Sequence, residues 1–194
     1  MPTLRVEDPW APSARVLDRS VMGSGARHDF SWFLEGTTAV NPANLEEIRL
    51  WLLGCTYASD PDVFHERDYW QHPKTFEHLR KGDCEDFALW TWRKLLELGF
   101  DARFYLGRVL DDGDWRSRHA WVVFDLDGQR ILMEPSSPTA MLTPFDSAKA
   151  NYEPYFYVGR DCKPTCCEGY IYYLQRRDGP AHSDPGSGLT SACN

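Results

Sequence analysis

Hydrophobic and polar positions follow two different periods along the chain, and the change between them falls at Gly99. Between residues 41 and 99, apolar side chains recur every three or four residues, which predicts amphipathic helices. Between residues 102 and 174, apolar and polar side chains mostly alternate, which predicts β-strands. Helices followed by a meander of antiparallel strands are typical of the α+β class.

Local start signals place the predicted helices. One helix is predicted to begin at Asn41-Pro42 and to run to about Gly54. A short helix is predicted to begin with Asp60 as the N-cap and Pro61 as the first helical residue, because the fixed φ of proline suits that position. Another short helix is predicted to begin near Pro73.

The last predicted helix follows the segment Lys81-Gly82-Asp83-Cys84-Glu85-Asp86. We predict a tight turn at Gly82, because glycine adopts backbone angles that other residues avoid. Asp83 is then the N-cap, Cys84 the first helical residue, and Gly99 the end of the helix. A thiol at the positive end of the helix dipole favours the nucleophilic thiolate. The spacing fits equally a cysteine that heads a buried apolar stripe, and that alternative stays open.

The alternating region predicts strands at residues 102–109, 119–126, 130–134, 155–158 and 170–174. Asp127-Gly128 is a typical two-residue hairpin turn between two of them. Residues 136–150 are predicted to form a loop with one helical turn, and a cysteine-rich loop is predicted to separate the last two strands.

Three regions are predicted along the chain. Residues 1–40 form an irregular segment that docks on the core through the apolar stretch 27–34. Residues 41–175 form one folded domain, because that length can bury a sizeable core. Residues 176–194 are rich in Gly, Pro, Ser and other polar residues, which predicts a flexible tail.

Composition and charge narrow the classes of partner. The chain has 194 residues, 42% of them hydrophobic, and a formal net charge of −8. The negative charge argues against a nucleic-acid partner, because binding phosphates requires a basic surface. The longest apolar run, around residues 50–53, is too short for membrane insertion. The first residues lack the layout of a signal peptide, so we expect a cytoplasmic protein, with secretion by a non-classical route as the alternative.

Two groups of candidate metal ligands lack the spacing that metal sites need. Cys162, Cys166 and Cys167 do not form a CxxC pair, which argues against structural zinc. The acidic residues between 60 and 68 lack the spacing and central glycine of an EF-hand, so we interpret them as a solvated face. These residues are Asp60, Asp62, Glu66 and Asp68.

A histidine and a carboxylate are predicted to lie together on the sheet. Strand alternation places His119, Trp121 and Asp125 on one face. If Asp127-Gly128 is a two-residue turn, Trp121 pairs with Glu134. Glu134 then becomes a diagonal neighbour of His119, at about 7–8 Å. It could orient the imidazole so that the other ring nitrogen takes a thiol proton. Asp125 is the rival for this role, but it lies six residues along the strand.

The chain resembles the transglutaminase-like cysteine hydrolase superfamily, and most closely its bacterial cysteine peptidases, in three segments. They are, in order, Gly82-Asp83-Cys84-Glu85-Asp86-Phe87-Ala88, His119-Ala120-Trp121-Val122 and Leu132-Met133-Glu134-Pro135. The resemblance implies a papain/transglutaminase-like fold, in which the nucleophile helix packs on an antiparallel sheet, and makes residues 41–175 its catalytic domain. It also implies Cys84 as nucleophile, His119 as base and Glu134 as third member. The family usually has Asp in the third position, and Glu is one methylene longer.

Further residues surround this triad. Trp70 matches a Trp-x-x-Pro segment that many members carry, and we expect Trp70 and Trp121 either to wall the cleft or to pack in the core. The backbone N–H of Cys84 is expected to hold the oxyanion, with Gln71 as a candidate side-chain donor.

The chemistry requires no cofactor, but some members of this peptidase branch need calcium. Asp83 and Glu85 match the positions of their acidic ligands. The alternative role for both residues is to cap the helix and compensate its dipole. Uncompensated, both carboxylates would oppose thiolate formation at Cys84.

The resemblance implies acyl transfer from a protein or peptide substrate. Water as the acceptor gives a peptidase or amidase, which is the reaction we favour, and an amine gives a transglutaminase. Two alternatives stay open: an effector that deamidates glutamine in a target protein, and a non-catalytic binding module with the same fold.

Overall fold

The computed structural model describes residues 8–16, 22–111 and 114–170. The predicted α+β class is confirmed, because helices and a mostly antiparallel sheet pack together. The helices are α1 (Leu45–Leu53), α2 (Asp60–Phe64), α3 (Pro73–Leu79), α4 (Cys84–Glu97) and α5 (Phe145–Ala148), with 3₁₀ helices at Phe30–Leu34 and Lys149–Asn151. The strands are β1 (Pro12–Val16), β2 (Thr56–Tyr57), β3 (Lys81–Gly82), β4 (Ala102–Asp111), β5 (Asp114–Leu126), β6 (Gln129–Glu134), β7 (Met141–Pro144), β8 (Tyr152–Val158) and β9 (Pro164–Cys167).

Seven strands form one sheet in the order β1-β9-β8-β4-β5-β6-β7, and the neighbouring strands are antiparallel. Leu126 pairs with Gln129 and Val122 with Met133, which is the register expected from a two-residue turn. Both turn residues, Asp127 and Gly128, have positive φ, as a type I′ hairpin requires. A separate parallel pair, β2 and β3, leads into α4.

The sheet separates two hydrophobic clusters, and α4 packs against β4 and β5 on one face. Alternation explains the division, because successive side chains of a strand point to opposite faces. The α4 face includes Leu95, Phe104, Val122 and Phe156, and the other face includes Tyr105, Trp121, Leu132 and Tyr152. Phe30 and Phe33, from the stretch 27–34 that was predicted to dock on the core, are buried in the α4 cluster.

Two predicted helix starts are wrong, the first by a few residues and the second by one. α1 begins at Leu45, because the side-chain oxygen of Asn44 accepts a hydrogen bond from the backbone N–H of Glu47 and caps the helix there. Ser59 is the N-cap of α2, which places Asp60 and Pro61 one position further into the helix than predicted.

Several short strands were not predicted. β1 falls in the segment expected to be irregular, β7 in a predicted loop and β9 in the cysteine-rich loop. Tyr170, predicted to begin a strand, is helical, and the rest of that strand and the predicted tail lie outside the described residues. In the described ranges, no helix is both long and apolar enough to cross a bilayer.

Candidate active site

The start of α4 brings Cys84 into a tightly packed turn. Asp83 is the N-cap, and its backbone N–H donates to the Asp86 carboxylate at 3.3 Å. Gly82 does not have a positive φ, so the turn does not use the backbone freedom for which glycine was expected there. Glycine is needed there for space, because a Cβ would collide with the Asp86 carboxylate and the Gln71 amide.

The Cys84 thiol is 8% exposed and donates a hydrogen bond to Glu85 Oε2 at 3.2 Å. The backbone N–H of Ala120 on β5 is directed at the same sulfur. Burial, and then the negative charges of Glu85 and Asp83, raise the pKa of the thiol well above its ordinary value. Burial and these two carboxylates therefore oppose the thiolate that the helix start was expected to favour.

His119 and Glu134 are in direct contact. The distance from His119 Nε2 to Glu134 Oε2 is 2.7 Å, across the β5–β6 pair. Ser137 donates to the Glu134 carbonyl from both its backbone N–H and its hydroxyl, which fixes the turn that follows the strand. With Nε2 engaged by the carboxylate, the Nδ1 nitrogen is left for a second partner.

Tyr152 on β8 adds a further contact behind this pair. Its hydroxyl faces the Glu134 carboxylate, and burial together with that carboxylate raises the pKa of Tyr152. Glu134 Oε1 is buried and has no hydrogen-bond partner among the described residues. Sequence reasoning did not find Tyr152, because β8 is distant in sequence and reaches Glu134 only through the sheet.

The structure places Cys84 at the start of α4, His119 on β5 and Glu134 on the neighbouring β6, but the thiol and the imidazole do not share a hydrogen bond. The sulfur lies against Ala120, the residue that follows His119. Its proton is directed at Glu85 instead of His119. The thiol must therefore give up its hydrogen bond to Glu85 before the imidazole can take the thiol proton.

Gln71 is not available as an oxyanion donor. Its amide nitrogen donates to the carbonyl of Lys81 at 2.8 Å and to Asp86 Oδ2 at 2.5 Å. Both N–H groups are thereby used, and the side chain holds the turn before Cys84. We correct the predicted role of Gln71 to support of this turn.

Trp70 and Trp121 do not wall a cleft. Trp70 is 3% exposed and packs with Phe30 and Phe104, whereas Trp121 is fully buried on the opposite face of the sheet. The Trp121 ring lies parallel to that of His119, with centroids 6.2 Å apart. The core-packing alternative is correct for both residues, and Trp121 in addition limits where the imidazole can lie.

Five carboxylates converge beside the nucleophile, of which the sequence indicated only Asp83 and Glu85. Asp86 comes from the first turn of α4, Asp60 is the first residue of α2, and Asp68 follows the end of α2. Ligand oxygens of Asp60, Asp83 and Asp86 lie within 4.8 Å of one another, and so do those of Asp60, Asp68 and Glu85. Asp60 is 2% exposed, so the predicted solvated face is wrong at this position.

The protein backbone and side chains hold these added carboxylates in place. Asp60 Oδ2 accepts from the Tyr69 backbone N–H at 2.6 Å, and Asp68 Oδ1 accepts from the Trp70 indole N–H at 3.1 Å. The Gln71 backbone N–H donates to Asp86 Oδ1 at 2.8 Å. The segment 69–71 thus ties the residues of α2 to the start of α4.

The electrostatics of this cluster are unfavourable without a counter-charge. Burial is the largest cause that raises the pKa of Asp60, Asp83, Glu85 and Asp86, and neighbouring carboxylates add to it. The pKa of Asp60 rises to about 6. In the described part of the chain, no lysine or arginine forms an ion pair with these four residues.

The donor set fits a hard cation. Calcium takes six to eight oxygen ligands, mainly from carboxylates, carbonyls and water. Asp60 Oδ1 and Asp83 Oδ1 are buried without a described hydrogen-bond partner, as expected of oxygens that serve a ligand. The candidate metal residues are therefore Asp60, Asp68, Asp83, Glu85 and Asp86.

The fold and the site together are of the papain-like type, with a cysteine at a helix start and a histidine–carboxylate pair on an antiparallel sheet. The family model described as the transglutaminase-like superfamily matches residues 34–135. That match covers more than half of the chain, and the protein belongs to this superfamily. The resemblance inferred from the three segments is confirmed. No curated protein sequence matches the chain.

Solved structures of Legionella pneumophila LapG have a similar fold. One has a TM-score of 0.51 at 18% identity and covers 77% of this chain and 82% of its own. The calcium-bound form has a TM-score of 0.50 at 18% identity and covers 69% of this chain and 78% of its own. For the EGTA-treated form the TM-score is 0.46 at 20% identity, and the match covers 58% of this chain and 60% of that one.

Proposed function

We propose that the protein is a cysteine peptidase or amidase, in which Cys84 is the nucleophile, His119 the general base and Glu134 the residue that orients the base. The observation that carries the proposal is the 2.7 Å contact between His119 and Glu134 on β5 and β6, next to the strand position that touches the Cys84 sulfur. Membership in the transglutaminase-like superfamily supports the same assignment.

The proposed reaction begins when His119 takes the thiol proton and the Cys84 sulfur attacks the carbonyl carbon of a peptide or carboxamide. The C–N bond then breaks, and His119 returns the proton to the departing amine. The resulting thioester is hydrolysed by water, which releases the acid and restores the thiol. Glu134 stabilises the protonated imidazole throughout and does not itself take the proton.

The backbone N–H of Cys84 is the proposed oxyanion donor. It is the first N–H of α4, where helical N–H groups have no partner within the helix and the helix dipole favours negative charge. Because both Gln71 N–H groups are used elsewhere, we assign this role to backbone alone.

We further propose that calcium binds the carboxylates of Asp60, Asp68, Asp83, Glu85 and Asp86. LapG, whose fold is similar, has been solved in a calcium-bound form. When bound, the ion supplies positive charge that offsets these carboxylates and so favours the thiolate. Glu85 would connect the ion to the nucleophile, since its carboxylate accepts the hydrogen bond of the Cys84 thiol.

Alkylation of the thiol by iodoacetamide tests the nucleophile and its base. We expect Cys84 to react faster than an ordinary thiol in calcium buffer, and His119→Ala to slow it by about 10²-fold or more. Cys55→Ser is the matched control, because Cys55 is a free, partly exposed cysteine outside the site, and its loss should leave the rate unchanged. An unaccelerated thiol in the wild-type protein would instead favour a non-catalytic binding module.

Casein serves as a general protein substrate for the acyl-transfer step. New chain ends that require Cys84 would support hydrolysis of peptide bonds. Release of ammonia without chain cleavage would reassign the reaction to glutamine deamidation. Incorporation of a fluorescent amine would reassign it to transamidation.

A further inference from the structure

The edge of β2 beside the nucleophile carries an exposed aromatic residue. Tyr57 is 57% exposed, while its ring lies against Phe87 of α4 with centroids 6.4 Å apart. It pairs in register with Gly82, two residues before Cys84. Burial, and then the nearby Cys84, Asp83 and Glu85, raise the pKa of Tyr57, in keeping with its position beside Gly82.

On the edge of β2 that faces away from β3, the backbone N–H and C=O of Tyr57 have no hydrogen-bond partner among the described residues. Thr56 N–H donates to the Arg80 carbonyl and Ala58 N–H donates to the Gly82 carbonyl, each at 2.8 Å. Alternate residues of a strand direct their backbone groups to opposite sides, so the N–H and C=O of Tyr57 point away from β3. Over the described residues, β2 has β3 as its one sheet neighbour. Tyr57 thus presents one donor and one acceptor at a strand edge.

We propose that Tyr57 is a substrate-positioning residue, which pairs its backbone N–H and C=O with an extended polypeptide and packs its ring against that segment beside Cys84. This inference rests on the proposed function, since it concerns how the acyl donor of that reaction binds. Strand addition is a common way to hold an extended peptide, because main-chain hydrogen bonds supply affinity for any sequence. Because β2 has only two residues, it can form few backbone hydrogen bonds with the polypeptide.

The occupant is a polypeptide rather than a small amide because the exposed groups are those that recognise a main chain. A free carboxamide has no main chain on either side of the amide to pair with Tyr57, whereas an extended chain carries an N–H and a C=O on every residue, about 3.3 Å apart. The ring of Tyr57, already supported by Phe87, loses little freedom when it packs against such a chain.

The test compares two electrophiles on the full chain in calcium buffer: iodoacetamide and an acetyl-tetraalanyl chloromethyl ketone. Tyr57→Val keeps the backbone N–H but removes the ring, and Tyr57→Pro removes the N–H as well. Proline is tolerated on an edge strand whose N–H faces away from its neighbour. We expect the peptidyl reagent to react about 2- to 10-fold more slowly with the Pro variant than with the Val variant, the effect of one hydrogen bond.

The iodoacetamide rate should be equal in the two variants. Equal peptidyl rates for Val and Pro would overturn the backbone pairing, and a wild-type peptidyl rate in the Val variant would overturn the ring contact. The iodoacetamide rate of the wild-type protein tests the proposed function. The ratio of the peptidyl rate to the iodoacetamide rate, compared between variants, tests this inference whatever the reactivity of the thiol.

A second measurement needs no variant and remains informative if a variant does not fold. Peptidyl reagents methylated at single backbone nitrogens are compared on the wild-type protein. Slowing at alternate positions supports strand pairing, and uniform or absent slowing overturns it. A concentration-dependent dimer that Tyr57→Pro abolishes would assign the edge to a second copy of the chain and would also overturn the proposal.

Discussion

The two ends of α4 bury charge in opposite ways. In the C-terminal half, Lys94 is fully buried, and its ammonium contacts Glu77 at 3.2 Å and Glu97 at 3.0 Å. It also donates to the carbonyl of Val40 and to the hydroxyl of Thr38. At the N-terminal end, Glu85 and Asp86 are also buried, yet no lysine or arginine among the described residues forms an ion pair with them.

The difference indicates that the C-terminal half of α4 serves the stability of the fold, whereas its N-terminal end serves a site. A buried charge is costly unless it is paired and hydrogen-bonded. The Lys94 end meets that requirement internally, and together with Arg93, which donates to the carbonyls of Phe33 and Glu35, it fastens the N-terminal segment to the core. The Cys84 end leaves the requirement unmet, which is typical of a site whose partner is a ligand.

Removing the cation at the satisfied end should have the largest effect on stability. Lys94→Met leaves Glu77 buried without its ion pair and should lower the free energy of unfolding by about 3–5 kcal/mol. Urea denaturation measures this change. Lys149→Met is the matched control, because Lys149 forms an exposed ion pair with Asp146, and it should have little effect. A mild effect at Lys94 would mean that the two ends of α4 do not differ as described.

Calcium should stabilise the other end by a smaller amount. At 100 times its dissociation constant, a ligand of the native state adds about 2.7 kcal/mol. We expect a higher Tm in calcium than in EGTA at pH 7.5, and a smaller difference at pH 5, because protonated carboxyls bind the ion poorly. Equal Tm values in the two buffers at pH 7.5 would exclude the proposed metal site.

The same cluster should give the calcium-free protein an unusual pH dependence. The pKa of Asp60 rises from 3.8 to about 6, so the folded state retains this proton longer than the unfolded state. Its contribution to stability is largest below pH 3.8 and is lost as the pH rises through about 6. In EGTA, Asp60→Asn should remove this part of the decline in Tm between pH 4 and 6. An unchanged decline would show that Asp60 does not titrate in this range.

The smallest expected effect concerns the contact behind the histidine. Tyr152→Phe removes one hydroxyl that faces Glu134 and should lower the casein hydrolysis rate about 2- to 10-fold. The pH profile of the rate is the decisive measurement, because a change that acts through Glu134 and His119 moves the profile, whereas a packing defect lowers it uniformly. An unmoved profile would assign Tyr152 to packing alone.

Cap and turn residues in the sequence were sufficient to predict the elements whose ends they define. The helix that begins at Cys84 and the hairpin at Asp127-Gly128 have their own cap and turn residues, and both occur where they were predicted. β1, β7 and β9 have no comparable signal in the sequence. Each is a short strand that is formed by its hydrogen bonds to a neighbouring strand of the sheet. The same reason explains why the contact of Tyr152 with Glu134 was not foreseen.

The sequence by itself determined the α+β order, the cysteine at a helix start and the register that sets Glu134 beside His119. Only the tertiary structure decided that Asp60 and Asp68 join Asp83, Glu85 and Asp86, and that the thiol proton is directed at Glu85. The physical reason is range: periodicity fixes the face on which a side chain lies, but the meeting of carboxylates from separate segments depends on how those segments pack.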